Sequence, residues 1–191
     1  MKNKIKLLFV FFTIAFFSCL SPRFYNFSLT EVEKNTNSGE QNYKFEITKF
    51  PDTVVTKYII KDSLFDFVFY ITEYQFEFDM TNKSNKDIKI LWEKSAYINP
   101  KGERKRVIHK GISYSQKAVV QMPTIVPKNS KISEILLPSD NISVYLYGNG
   151  GWTIYPLFTS KDIGKNACAI LAIEINGTLY EYVFKVKIAS V

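Results

Sequence analysis

Apolar and polar residues alternate with a period of two along much of this 191-residue chain, and this alternation constrains its fold more than any other feature. In residues 65–71 the odd-numbered positions are apolar, and in residues 74–80 the even-numbered positions are apolar or aromatic. Successive side chains of a strand point to opposite faces, so each segment predicts a β-strand with one buried face. A one-residue slip reverses the faces. The change of parity between Ile71 and Tyr74 therefore predicts either a bulge or two strands that meet there.

Two turn sequences predict hairpins. Asn176-Gly177 lies between two alternating segments and favours a type I′ turn, the strongest short-range hairpin signal. Asn99-Pro100-Lys101-Gly102 has Pro and Gly where a type I turn prefers them, which predicts that residues 95–98 pair with residues 104–109. Counting outward from the Asn-Gly turn predicts the register Ile175 opposite Thr178, Ile173 opposite Tyr180, Leu171 opposite Tyr182 and Ala169 opposite Phe184.

The alternating segments and their turns add up to about nine or ten short strands, and no window has a helical stripe longer than two turns. We therefore predict an all-β, antiparallel β-sandwich domain over residues 43–191. Residues 1–18 are predicted to be a signal peptide. Residues 19–42 are polar and without sustained periodicity, which predicts a processed N-terminus followed by a flexible tether.

The first nineteen residues have the order of a secretory signal. Three lysines in the first six positions precede a largely apolar run over residues 7–17. At about 1.5 Å per residue, that run is too short to cross a bilayer as a helix. The Ser18-Cys19 pair resembles the lipobox of bacterial lipoproteins, although Phe16 and Phe17 depart from its usual residues. The resemblance implies that Cys19 is lipidated and becomes the mature N-terminus. An ordinary cleaved signal and an uncleaved anchor are the alternatives.

Two later segments carry further resemblances. The residues F-x-F-x-M-T-N-x-S from Phe76 to Ser84, followed by Ile88-x-Ile90, resemble the strand-turn-strand of immunoglobulin-like modules on bacterial surface proteins. The run from Trp92 to Gly102, with Arg-Val-Ile-His ending at His109, is similar to a group of uncharacterised bacterial lipoproteins. These resemblances imply an immunoglobulin-like sandwich and an envelope location, and they imply no known activity.

Composition limits the classes of function. The formal net charge of +7 is mild, and three of the basic residues lie in the signal, so no nucleic-acid partner is expected. One His and two Cys are too few for a His/Cys metal site, and no cofactor is expected. Cys168 lies in an apolar stretch, which predicts a buried, unreactive thiol.

The predicted location is the bacterial cell envelope, where a lipid anchor would hold the protein on a membrane. The outer membrane is favoured, because Leu20-Ser21 lacks the Asp that retains similar lipoproteins at the inner membrane. The expected role is a non-catalytic interaction or accessory module with an envelope protein or a glycan as its partner.

A basic run near the middle of the chain is the first candidate ligand site. It contains Arg104, Arg106 and His109, and it could bind lipid headgroups, sulfated glycans or another anion. The alternative is an exposed edge strand whose charges prevent aggregation.

A second candidate site contains Trp152 and Tyr155, which follow the glycine-rich residues 148–151. Exposed aromatic rings beside glycines could bind a sugar or a peptide. The alternative is that these aromatic side chains fill the core.

A hydrolase is the least favoured function. It would centre on His109, the single histidine, and would recruit Ser113 or Ser115 with Asp140. The chain has no G-x-S-x-G nucleophile elbow, so we expect no enzyme activity.

Overall fold

The computed structural model describes residues 25–36, 45, 47–50, 56–145 and 151–190. Over these residues the protein is all-β with antiparallel pairing throughout, which confirms the predicted class. The helical elements found there are three 3-10 turns of three residues each. The strands are β1 (Tyr25–Thr36), β2 (Ile47–Phe50), β3 (Lys57–Lys61), β4 (Phe65–Ile71), β5 (Phe76–Asn82), β6 (Ile88–Ile90), β7 (Ala96–Ile98), β8 (Arg104–Ile108), β9 (Thr124–Val126), β10 (Lys131–Pro138), β11 (Ile142–Tyr145), β12 (Gly151–Ile154), β13 (Asn166–Ile175) and β14 (Thr178–Ser190).

Fourteen strands form in the described residues, so the predicted number of nine or ten is wrong. Part of the difference is β1, which the sequence analysis assigned to the tether. Another part is β9, whose three residues are too few to display a period of two.

Most strands follow one another in a single hydrogen-bonded path, β1-β14-β13-β7-β8-β10-β5-β4-β3-β2. β6 pairs with both β13 and β9, while β11 and β12 form a separate two-stranded ribbon. The path narrows where β8 meets β10, because these strands pair at only two positions, Ile108 with Leu137 and Val107 with Pro138. That narrow junction divides the path into a β14 half (β1, β14, β13, β7 and β8) and a β4 half (β10, β5, β4, β3 and β2).

The two halves face each other across a core of aromatic rings. Phe67 and Phe69 of β4 and Tyr182 and Phe184 of β14 are each at most 1% exposed. The Phe69 and Phe184 rings stack with centroids 4.3 Å apart and an angle of 4° between their planes. The Phe67 and Tyr182 centroids lie 5.0 Å apart. Such pairs contribute about 0.5–1.5 kcal/mol each beyond the apolar area that they bury.

Both predicted hairpins are confirmed. Asn176 and Gly177 have φ values of 48° and 80°, as a type I′ turn requires, and the β13–β14 register matches all four predicted pairs. β7 pairs with β8, and the Gly102 amide donates to the Asn99 carbonyl oxygen at 2.8 Å. The parity change after Ile71 marks two strands that meet, β4 and β5, joined by the turn over residues 72–75.

The predicted tether over residues 19–42 is wrong for residues 25–36, because these residues form β1. β1 pairs with β14 from Tyr25 opposite Ser190 to Thr36 opposite Tyr180. Tyr25 and Leu29 are buried ahead of a register shift at residue 30, and Val32 is buried after it. The shift moves the inward-facing side chains from odd to even positions, which hides the alternation in the sequence. Residues 19–24 and 37–42 lie outside the described residues, as does the predicted signal peptide.

A buried ion pair fixes the far end of β1 to the β3–β4 turn. The Lys34 ammonium lies 2.8 Å from the Asp62 carboxylate, and both side chains are less than 10% exposed. Burial alone would raise the pKa of Asp62. The hydrogen bonds from Lys34 and Tyr182 and the charge of Lys34 outweigh that effect and hold the pKa below its usual value. The charged carboxylate therefore stabilises the folded chain at neutral pH.

A buried polar cluster around Asn82 fastens the β5–β6 turn to the end of β9. The Asn82 amide nitrogen donates to the carbonyl oxygens of Lys86, Val126 and Pro127 at 2.9, 3.2 and 3.0 Å. Its amide oxygen accepts from the Ser84 backbone amide and hydroxyl at 3.0 and 2.6 Å. Asn82 is fully buried, so this cluster gives a structural role to the Thr-Asn-x-Ser segment noted in the sequence.

We expect Asn82→Ala to lower the free energy of unfolding by about 2 kcal/mol, because the substitution removes the five hydrogen bonds of a fully buried side-chain amide. Urea unfolding followed by tryptophan fluorescence measures the change. The matched control is Asn85→Ala, an exposed asparagine of the same turn, which should leave the unfolding midpoint unchanged. Equal midpoints for the two variants would contradict the role given to Asn82.

Candidate interaction site beside strand β8

Strand β8 carries the predicted basic cluster, and it is not a free edge of the sheet. It pairs with β7 over residues 104–106 and with β10 over residues 107–108. The interpretation of the basic run as an exposed edge strand is therefore wrong. Val107 and Ile108 are both buried, Val107 in the main core and Ile108 in a smaller cluster with Leu137 and Ile142.

Arg106 holds the backbone of the segment that precedes β9. Its guanidinium donates to the carbonyl oxygens of Lys117, at 3.3 Å, and Val119. It also donates to the Glu93 carboxylate at 2.5 Å. Arg104 is exposed and donates to the Lys94 carbonyl oxygen at 2.8 Å. Both predicted anion-binding arginines thus have protein acceptors, and Arg106 acts as a clamp on residues 117–119.

Glu93 and Gln121 complete this clamp. The Gln121 backbone amide donates to the Glu93 carboxylate at 2.7 Å, and its side-chain amide donates to the Val107 carbonyl oxygen at 2.6 Å. Burial alone would raise the pKa of Glu93, but the Gln121 amide and the Arg106 guanidinium together lower it. The carboxylate therefore stays charged at neutral pH and keeps the guanidinium in place.

Above the clamp, the same segment exposes apolar side chains. The exposed fractions are 57% for Val119, 74% for Val120, 79% for Met122 and 64% for Ile125. We call these four residues the 119–125 patch. They account for half of the large exposed hydrophobic side chains in the described residues. The sequence analysis missed the patch. Its only signal was an apolar run, Ala118-Val119-Val120, in a segment without strand alternation.

His109 lies under this segment and not in a catalytic triad. Its imidazole stacks on Trp92 with centroids 4.5 Å apart, and its Nδ1 lies 4.0 Å from the Glu134 carboxylate. Burial raises the pKa of Glu134, an effect that hydrogen bonding and the nearby His109 only partly oppose. Asp140 instead pairs with Lys105 at 3.4 Å. Within the described residues, no hydrogen bond joins His109 to Ser113, Ser115 or Asp140.

His109 also lines a cleft of about 350 Å³ beneath the patch, together with Val119, Val120 and Met122. Neither Arg104 nor Arg106 lines this cleft. The residues of the predicted anion site therefore have different roles. Arg106 holds the backbone of residues 117–119, whereas His109 lines the cleft.

Trp152 and Tyr155 lie elsewhere, on and just after β12. They are 41% and 52% exposed, so the alternative that they fill the core is wrong. Trp152 lines a shallow cleft of about 670 Å³ with Tyr74 and Glu77. Its ring meets Tyr114 edge-on at 6.0 Å. The structure thus brings Trp152 to Tyr74 and not to the arginines.

Of the two cysteines, the structure describes only Cys168. Cys19, the predicted lipidation site, lies outside the described residues. Cys168 is half-buried on β13, not fully buried as predicted, and burial raises the pKa of its thiol.

No helix in the described ranges is long and apolar enough to span a bilayer. The same ranges contain no group of three or more His, Cys, Asp or Glu arranged to hold a metal ion.

We expect Arg106→Lys to loosen the backbone of residues 117–121, since an ammonium cannot replace the planar guanidinium that reaches three acceptors. Hydrogen exchange at the Gln121 amide should quicken by about tenfold, the equivalent of a loss of about 1.4 kcal/mol. Mass-spectrometric hydrogen exchange measures this. Arg104→Lys, the matched control on the same strand, should leave that amide unchanged. Equal exchange in both variants would mean that Arg106 does not hold the segment.

The exposed apolar side chains of the described residues form two groups. One is the 119–125 patch, and the other consists of Tyr74, Trp152, Tyr155 and Ile163.

Comparisons with protein-family models, with curated proteins and with solved structures find no match to this chain.

Proposed function

We propose that this protein is a bacterial lipoprotein, anchored through Cys19, that acts as a non-catalytic interaction module of the cell envelope. The signal-like N-terminus and the Ser18-Cys19 pair support the anchor. The observation that carries the interaction role is the 119–125 patch, which is exposed although its backbone is held from below.

The clamp is what distinguishes this patch from an ordinary loop. Exposed apolar side chains are unfavourable in water, and a flexible loop could fold them onto the surface. Arg106, Glu93 and Gln121 prevent this by fixing the backbone with their hydrogen bonds. A prearranged apolar surface loses little conformational entropy when a partner covers it. The arrangement suits a protein-binding surface.

Strand pairing places one end of the patch relative to the start of β1. Thr124, within the 119–125 segment, pairs with Ile90, which pairs with Ile173, which in turn pairs with Tyr180. Tyr25 is instead level with Ser190, at the other end of β14. The ten residue steps from Tyr180 to Ser190 span about 33 Å at 3.3 Å per residue. By this register, the Thr124 end of the patch lies toward the end of β14 opposite to Tyr25.

The immunoglobulin-like form of the fold and the outer-membrane location belong to the same proposal. The two halves of the sheet that face each other support an immunoglobulin-like sandwich, a fold in which one end of the domain carries the binding loops. The absence of an Asp after Cys19 supports the outer membrane.

The runner-up functions have less support. A receptor for an anionic ligand would need Arg104 and Arg106 to face that ligand, yet both donate to backbone carbonyl oxygens. A hydrolase would need His109 to reach a nucleophile, yet the Ser113 hydroxyl bonds instead to Gln116.

The anchor is tested by metabolic labelling. The full chain, expressed in a bacterium with labelled palmitate, should incorporate the label and float with membranes. Cys19→Ala should lose the label, because the thiol that carries the diacylglycerol is gone, whereas Cys168→Ala should keep it. Label that persists in Cys19→Ala would contradict lipidation.

The patch is tested by site-specific crosslinking in the same cells. A photoreactive residue at Val120 should give one discrete adduct, and Met122→Asp should abolish it by placing a charge in the apolar contact. The same photoreactive residue at Lys187, which is exposed outside the patch, should give none. Identical adducts from both positions would contradict a specific surface.

A further inference from the structure

The second exposed group surrounds the start of β1. The hydroxyl of Tyr25, the first residue of that strand, donates to the Glu73 carboxylate and to the Phe158 carbonyl oxygen, both at 2.9 Å. Tyr74 adjoins Glu73 and is 43% exposed. The Leu157 amide donates to the Glu73 carbonyl oxygen at 2.7 Å, which brings the segment after Tyr155 to the same place.

The remaining members of the group lie at this end too. Trp152 lines the cleft that it shares with Tyr74. Ile163, which is 39% exposed, precedes Gly164, whose amide donates to the Ile188 carbonyl oxygen at 2.9 Å near the end of β14. We call Tyr74, Trp152, Tyr155 and Ile163 the anchor-side face.

The chemistry of this face is that of a membrane interface. Tyr and Trp have an apolar ring and one polar group, and both are enriched where lipid meets water. Lys161, beside this group in the chain, is exposed and adds a positive charge. The Tyr114 ring supports Trp152, and the Lys117 ammonium lies 4.4 Å from the centre of the Tyr114 ring. The indole therefore has an aromatic neighbour on one side, while 41% of its surface stays exposed.

The chain before β1 fixes how far this face can be from lipid. From Cys19 to Tyr25 the chain can reach about 20 Å at most, even when fully extended. We infer that the anchor-side face lies on the bilayer surface, with the rings of Tyr74, Trp152 and Tyr155 among the lipid headgroups. This inference rests on the proposed lipid anchor. It implies that the anchor and the face together orient the domain on the membrane.

Brominated lipids test this inference, because the chain has only two tryptophans and Trp92 is fully buried. The full chain, purified from bacterial membranes, is reconstituted into phosphatidylcholine–phosphatidylglycerol vesicles with or without bromine on the acyl chains. We expect bromine to lower the Trp152 fluorescence by about twofold, since interfacial side chains lie roughly 5–10 Å into the headgroup and acyl boundary. Trp152→Phe should abolish the effect and leave the Trp92 signal.

A pair of double variants makes the readout specific. Tyr74→Ser with Ile163→Ser should reduce the quenching, while Val120→Ser with Met122→Ser, on the 119–125 patch, should leave it unchanged. Maltohexaose and chitohexaose are added separately to vesicles without bromine. A fluorescence response to either sugar, with no quenching by bromine, would overturn the inference in favour of a saccharide site.

Mass spectrometry of the same sample separates this inference from the proposed function. An acylated chain without quenching overturns the inference and leaves the lipoprotein proposal standing. An unacylated chain that floats with the vesicles and is quenched removes the lipidation and supports the face. A chain that does not float with the vesicles overturns the inference.

Discussion

The stack of Phe69 on Phe184 joins the two halves of the sheet, and the rest of the structure depends on this contact. β8 and β10 connect the halves at only two residue pairs, so hydrogen bonding across that junction contributes little to their alignment. The aromatic side chains of β4 and β14 supply the large buried surface instead. With the halves fixed in this way, β8 and the segment that Arg106 holds have a rigid base.

The clamp beside β8 uses charged groups for a structural purpose. Arg106, which also donates to the Glu93 carboxylate, donates to the carbonyl oxygens of Lys117 and Val119 and so satisfies backbone groups outside the strand ladders. The apolar side chains of the 119–125 patch then face outward because the backbone has no freedom to turn them inward. Positive charge in the sequence thus suggested an anion-binding site, whereas the contacts show that Arg106 supports a segment with exposed apolar side chains.

Local signals were enough to predict part of this fold. The Asn176-Gly177 turn fixes its own register, so the β13–β14 pairing follows from the sequence alone. β1 could not be predicted in the same way, because the register shift at residue 30 breaks its alternation and because Lys34 is a buried charge. The 119–125 patch depends on Arg106, which lies eleven or more positions away in the chain. Short-range patterns cannot report such a contact.

The pairing of β1 with β14 has a consequence for biogenesis. Among the described strands, β1 forms its backbone ladder with β14, so the polypeptide must be synthesised through β14 before this pair can form. The residues synthesised before β14 cannot complete this sheet on their own. Premature termination that removed the last strand would leave the rings of β4 without a cover, and such a product would be a substrate for proteolysis or aggregation.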